Sequence, residues 1–192
     1  MNEMVNEYME SYKDDLAKIL GKLEDEFSLI RVGRANPKIV EKIMIEYYGS
    51  RVPLSQAANI SVPEARMLLV SPWDASLIKG IKSSIDEANL GVSCSDDGQK
   101  IRIIFPQLTE ERRIQYSKDA RKMLENYKIT MRNARRDILD IFKDMKKDSE
   151  ISEDEYNTLD KSVQKYLDDT TAKADVACEK KVAEIMEVYF TL

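Results

Sequence analysis

Three stretches of the chain repeat apolar residues every three or four positions, and a stripe of that period must be buried against another helix. In the first, Val5, Met9, Tyr12, Leu16, Ile19, Leu23, Phe27 and Ile30 recur among mostly charged or polar neighbours. Gly21 weakens this helix locally, yet the pattern runs on past it. The second begins near Thr109, a good N-cap, with Glu110 and Glu111 in the first turn, where the helix dipole favours negative charge. Its stripe is Ala120, Met123, Tyr127, Met131, Ala134, Ile138, Ile141 and Met145. At about 1.5 Å per residue, a helix over 109–147 spans roughly 55–60 Å. The third opens at Ser152 and Glu155, spaced as a capping box. It carries Tyr156, Leu159, Val163, Tyr166, Thr170, Ala174, Cys178, Val182, Ile185 and Tyr189. The short polar turn around 147–151 joins the last two helices as an antiparallel hairpin. The first helix needs the same partners, so the simplest packing is a three-helix bundle built from both chain ends.

The middle has a different grammar. Asn36-Pro37 suits an N-cap and first helical position. The run from Ile43 to Tyr48 reads as a strand ending at Gly49. Val52-Pro53-Leu54 and Asn59–Val62 read as short edge strands, because Pro53 and Pro63 cannot donate to a ladder. Met67–Val70 suits a buried strand. Asp74 caps a helix from about 75 to 89, stopped by Gly91. Val92–Cys94 and Ile101–Ile104 flank Asp96-Asp97-Gly98, a hairpin signal. The expected organisation is a discontinuous bundle, 1–30 plus 107–192, and an inserted small β/α/β domain, 31–106. The chain crosses between them near 31–35 and 105–108. Gly33, Pro106 and Gln107 are the expected hinge positions, since two connections with few shared contacts leave relative motion as the default.

Composition excludes several classes. There is no run of about 18 apolar residues, so no membrane span is expected. The first residues, MNEMVNEYMESYKDD, have neither an apolar core nor an Arg-rich character, so neither a secretory signal nor a transit peptide is expected. With no His and only two Cys, imidazole catalysis, a zinc site and a disulfide framework are all excluded. A Walker loop, GxGxxG and GxSxG are absent. The expectation is a cytoplasmic protein without cofactor or metal.

The net charge of −5 hides a strong partition. Residues 1–30 carry net −5 and residues 31–111 net zero. Residues 112–147 hold 12 basic and 5 acidic side chains, net +7, and residues 148–192 hold 5 and 12, net −7. Charge alone leaves two readings open: oppositely charged helices neutralise each other, or part of the basic face binds phosphate. On the second helix, Arg121, Lys128 and Arg135 are seven apart, with Arg132 on the same face and Arg136 beside it. Glu125 is the acid that shares this row. Lys143, Lys146 and Lys147 sit beside the acidic turn and suit cross-helix pairs. Arg31 and Arg34 flank Gly33, and Arg112 and Arg113 open the second helix. Arg suits phosphate because its planar fork donates two parallel hydrogen bonds.

Other features have blander readings. The acidic clusters fall in turns or on polar helix faces, where solvation is the ordinary role. Cys94 and Cys178 read as small hydrophobes. Trp73, Tyr47 and Tyr48 suit either stacking or packing, of which core or interface packing is the commoner.

The segments RVGRANP, EYYGSRVPLSQAANISVPEARMLLVSPWD, LTEERR, MRNARRD and EISEDE, in this order and spacing, resemble the bacterial ribosome recycling factor family over about residues 5–187. The resemblance implies an α+β fold: a long antiparallel three-helix bundle with an inserted small β/α/β domain, L-shaped and of tRNA-like dimensions. It implies a translation factor that binds the post-termination ribosome. With elongation factor G and GTP, such a factor splits the ribosome into subunits, releasing it from mRNA for recycling. No catalysis of its own is implied. The implied partners are the large subunit with its ribosomal RNA, and elongation factor G, met by a monomer through its inserted domain. RNA contact is implied for Arg31, Arg34, Arg132 and Arg135, to which the helical band adds Lys128 and Arg136. Gln107 stands where the family usually has Pro, which implies a looser linker. The tail from Val188 to Leu192 is more apolar than the family leads one to expect. The competing reading is a helical scaffold or adaptor that docks a partner protein and has no need of the arginines.

Overall fold

The computed structural model describes residues 3–187. In chain order the elements are α1 (Glu3–Leu29), α2 (Lys38–Glu41), β1 (Met44–Tyr47), β2 (Ser50–Pro53), α3 (Leu54–Ala57), β3 (Ala58–Glu64) and β4 (Met67–Pro72). A 3-10 turn (Ala75–Leu77) then leads into α4 (Ile78–Glu87), β5 (Ser93–Asp96), β6 (Ile101–Ile104), α5 (Glu110–Lys147) and α6 (Glu153–Met186). They form two compact units. One contains Met1–Ile30 and Tyr116–Ala183; the other contains Arg31–Gln115 and the chain from Glu184.

The first unit packs α1, α5 and α6. Two contacts along each helix pair fix their directions: Glu26 of α1 accepts a hydrogen bond from Tyr127 of α5 while Tyr8 lines a groove with Ile138 and Ile141, and Tyr12 donates to the Val163 carbonyl of α6 while Val5 lines a groove with Glu155 and Leu159. Thus α1 runs antiparallel to α5 and parallel to α6. Both α5 and α6 start on the residues whose side chains favour it. The Thr109 Oγ1 accepts from the Arg112 N–H at 3.3 Å. Ser152 and Glu155 form a reciprocal capping box, with Ser152 N–H donating to Glu155 Oε2 at 2.8 Å and Glu155 N–H donating to Ser152 Oγ at 3.2 Å.

The buried seam differs in detail from the expected stripes. In α5 it runs through Ala120, Leu124, Met131, Ile138, Phe142 and Met145, while Ile141 lies 36% exposed on the margin. In α6, Leu167 is buried and Tyr166 is 36% exposed. A helix touching two neighbours needs a wide apolar face, so adjacent apolar residues compete for its centre, and packing rather than spacing chooses between them. Tyr189 lies outside the described residues. Burial pushes the Tyr12 phenol up to about 12, the neutral form being the one that donates to Val163.

In the second unit, β3-β4-β6-β5 form an antiparallel sheet with β3 and β5 at its edges. Leu68 and Val70 of β4 and Ile101 and Ile103 of β6 alternate onto the buried face. That face packs into one core with Ile78, Ile81 and Ile85, spaced three and four along α4. The Asp74 carboxylate accepts from the Ser76 N–H at 2.8 Å and so starts the helical segment. The helix stops at Glu87, before Gly91, because Asn89 already adopts φ 53°. A separate hairpin, β1–β2, turns on Tyr48 and Gly49, whose φ values of 48° and 78° are those of a two-residue primed turn. The expected strand over Val52–Leu54 is thus divided: Pro53 closes β2, and Leu54 begins a helical turn.

Candidate nucleic-acid interface

The cation band of α5 splits into two sets. Arg121, Lys128 and Arg135 meet carboxylates of α6. Arg121 Nη1 lies 2.7 Å from Glu179 Oε1, Lys128 Nζ 2.6 Å from Asp175 Oδ1, and Arg135 Nη2 3.5 Å from Asp160 Oδ1. Residue numbers rise on one helix as they fall on the other, as antiparallel helices require. Near the connecting turn, Lys146 continues the series with Glu153 at 3.0 Å. The hydrogen bond to Asp175 raises the Lys128 ammonium above the ordinary lysine range. The Nε of Arg135 is buried and lacks a hydrogen-bond partner.

Arg132 and Arg136 form the second set. The Arg132 side chain is 59% exposed, and its only ion pair among the described residues is a loose one to Glu125 at 3.9 Å. Its Nε donates to the Lys128 carbonyl one turn back at 3.2 Å, which holds the stem along the helix. Arg136 is exposed and makes no ion pair among the described residues. An exposed pair at 3.9 Å contributes little, so both guanidinium groups present donors to solvent. The neutralising reading of the sequence therefore holds for part of the band. Arg121, Lys128 and Arg135 are engaged across the helix seam, while Arg132 and Arg136 project from it.

Arg31, Gly33 and Arg34 belong to the β-containing unit. Arg34 is exposed and Arg31 is half-buried, its Nη1 3.3 Å from the point where a Cβ on Gly91 would stand. The absence of a side chain at Gly91 lets the guanidinium lie close to the backbone. Gly33 has φ 74°, and the Leu108 side chain begins 3.8 Å from its missing Cβ. The two connections thus run side by side within this unit. Both are fastened to the β3–β4 turn: Ala35 N–H donates to Ala65 O at 2.7 Å, and Phe105 N–H donates to Arg66 O at 2.8 Å. Pro106 and Gln107 beyond Phe105 are exposed.

Two features were missed by sequence reasoning. The α6 carboxylates were visible only as an excess of acid, because spacing does not say which of them faces which cation. Tyr48 and Trp73 are 80% and 66% exposed, which excludes core packing and leaves stacking or interface packing. Each ring is held by its polar atom: Tyr48 OH donates to Asp74 Oδ2 at 3.1 Å, and Trp73 Nε1 donates to Gln56 O at 3.2 Å. The Tyr48-Gly49 pair between two short apolar runs was the discoverable signal, since a two-residue turn with Gly second places both residues at the tip of a hairpin. Cys178 is buried and Cys94 half-buried, and burial pushes both thiols up.

Among the described residues, no cluster of three or more His, Cys, Asp or Glu is placed to hold a metal ion, and no helix is long and apolar enough to cross a membrane.

The family described as ribosome recycling factor matches residues 23–186. A ribosome-recycling factor of Caldicellulosiruptor bescii is 44% identical over 176 residues, covering 92% of this chain and 96% of its own. That of Finegoldia magna is 44% identical over 188 residues, covering 98% and 100%. Among solved structures, a solution structure of a ribosome recycling factor superposes with a TM-score of 0.79 at 31% identity, covering 98% of this chain and all of its own. A second, at TM-score 0.66 and 37% identity, covers 95% and 99%; it describes the T. thermophilus factor and E. coli elongation factor G bound to the E. coli post-termination complex.

Proposed function

The chain belongs to the ribosome recycling factor family, and from that premise we propose how its parts divide the work. It is a translation factor and not an enzyme. It acts on the post-termination ribosome together with elongation factor G and GTP, separating the subunits so that they are released from mRNA. The bundle is the part that holds the ribosome, and it does so on the RNA of the large subunit. A surface of folded RNA is met through shape and placed cations, without sequence readout. Arg132 and Arg136 are the first contacts, with Arg135 and Lys128 in the row behind them. Arg31 and Arg34 form a second cationic group on the β-containing unit. Gly33, Pro106 and Gln107 are the positions about which the units turn. The exposed Tyr48 and Trp73 suit a protein partner, since the carboxylate of Asp74 beside them disfavours phosphate. The protein works as a monomer in the cytoplasm.

The observation that carries this reading is the pair of guanidinium groups, Arg132 and Arg136, that project beside a row whose other cations, Arg121, Lys128 and Arg135, are paired across the seam. A scaffold would bury its stripes as this bundle does and would have no use for Arg132 and Arg136. Replacing both by Ala should leave the melting temperature unchanged and weaken cosedimentation with the 50S particle at least tenfold, because two charge-assisted contacts of about 1.5–3 kcal/mol each are lost. Undiminished cosedimentation would favour the adaptor.

A further inference from the structure

We propose that Asp160, Asp175 and Glu179 are specificity-determining residues: counter-charges built into α6 that withhold Arg135, Lys128 and Arg121 from arbitrary RNA. The proposal rests on the RNA-facing reading of α5.

The three cations are seven apart and lie on one line of the helix. Five positive side chains along one helix would bind any flexible RNA, because neutralising phosphates releases counterions whatever the sequence. Each carboxylate at 2.6–3.5 Å takes one cation out of that process. On this stretch of the helix face, flexible RNA then meets Arg132 and Arg136. The pairs remain exchangeable: Arg121 is 55% and Glu179 63% exposed, and the Arg135–Asp160 pair is long. A rigid RNA surface that presents phosphates in register with the row can therefore recruit the withheld cations, whereas a floppy strand must order itself first. Discrimination between ribosome and bulk RNA follows from this difference, within a protein whose overall charge is only −5.

The test is titration of the full chain with poly(U) across a salt series. The triple variant Asp160→Asn, Asp175→Asn, Glu179→Gln should bind at least tenfold more tightly at low salt. Its log–log salt slope should steepen by about 0.7 per released cation, about 2 in all. A charge-matched variant on α1, Asp14→Asn, Glu24→Gln, Asp25→Asn, should give less than half that change. An equal change in the two variants would mean that net charge alone is at work, and no steepening in the triple variant would mean that the pairs withhold nothing; either overturns the proposal. If the triple variant melts early, Glu179→Gln, on the most exposed of the three pairs, should by itself steepen the slope by about 0.7, and an unchanged slope there overturns it equally. Cosedimentation of the Arg132→Ala, Arg136→Ala variant with the 50S particle separates the two levels. Lost binding there with a flat triple-variant slope sinks this proposal alone, while retained binding removes the interface and the proposal together.

Discussion

Ser149 shows how a single backbone angle closes a helix. Its φ is 63°, in the left-handed region that L side chains disfavour. The reason for it lies in two hydrogen bonds: Ser149 N–H donates to Lys146 O at 3.1 Å, and Glu150 N–H donates to Met145 O at 2.9 Å. Together they form a Schellman motif that satisfies the last carbonyls of α5 and lets Ile151 turn back, buried, toward α6. Glycine is the residue that usually holds this position. Ser149→Gly should therefore raise stability by about 1 kcal/mol in denaturant unfolding, and a loss of stability would show that the Ser side chain contributes something its backbone does not explain. The sequence marked the turn as polar and short. It gave no sign that a serine would fill the left-handed position, because the penalty is outweighed only once both helices are in place.

Among the elements, α5 is where local pattern and packing part. Its periodicity announced a helix, its N-cap and its antiparallel partner correctly. Ile141 and Phe142 are neighbours of similar apolarity, and only the positions of α1 and α6 decided that Phe142 is fully buried while Ile141 sits at the margin. Phe142→Ala should cost about 3–5 kcal/mol, through lost burial and the cavity left behind. Ile141→Ala should cost less than about 1 kcal/mol, in line with a largely surface position. Comparable losses in chemical unfolding would place the seam through Ile141 instead. The same ambiguity explains Tyr166 and Leu167 in α6.

Across the whole molecule, acid acts on carboxyls that hydrogen bonds hold in place. Asp74, Asp96 and Asp97 all lie in the β-containing unit. Hydrogen bonds from Ser76, from Lys82, and from the Lys100 and Gln99 amides, respectively, hold their carboxyls below the ordinary aspartate range. In the bundle the Ser152 amide holds Glu155 low in the same way. A carboxyl with a depressed folded pKa stabilises above its unfolded value, near 4, and that stabilisation is lost as pH falls through the folded value. On acidification the β-containing unit should therefore lose stability as these carboxyls protonate. Fluorescence of Trp73, the single Trp of the chain and the neighbour of Asp74, should change as pH falls below about 4; an unchanged signal down to about pH 2 would contradict this. The sequence by itself determined the elements: the three amphipathic stripes, the caps at Thr109 and Ser152, the hairpin at Asp96–Gly98, and the motifs that placed the chain in its family. These are local, set by spacing and by side chains within a few residues of the backbone they satisfy. Only the tertiary structure decided which cations face solvent, which apolar neighbour enters the core, and that Tyr48 and Trp73 stand outside it. Those outcomes depend on what lies opposite each residue across a helix seam or a sheet edge, and one-dimensional spacing carries no information about the register of distant segments.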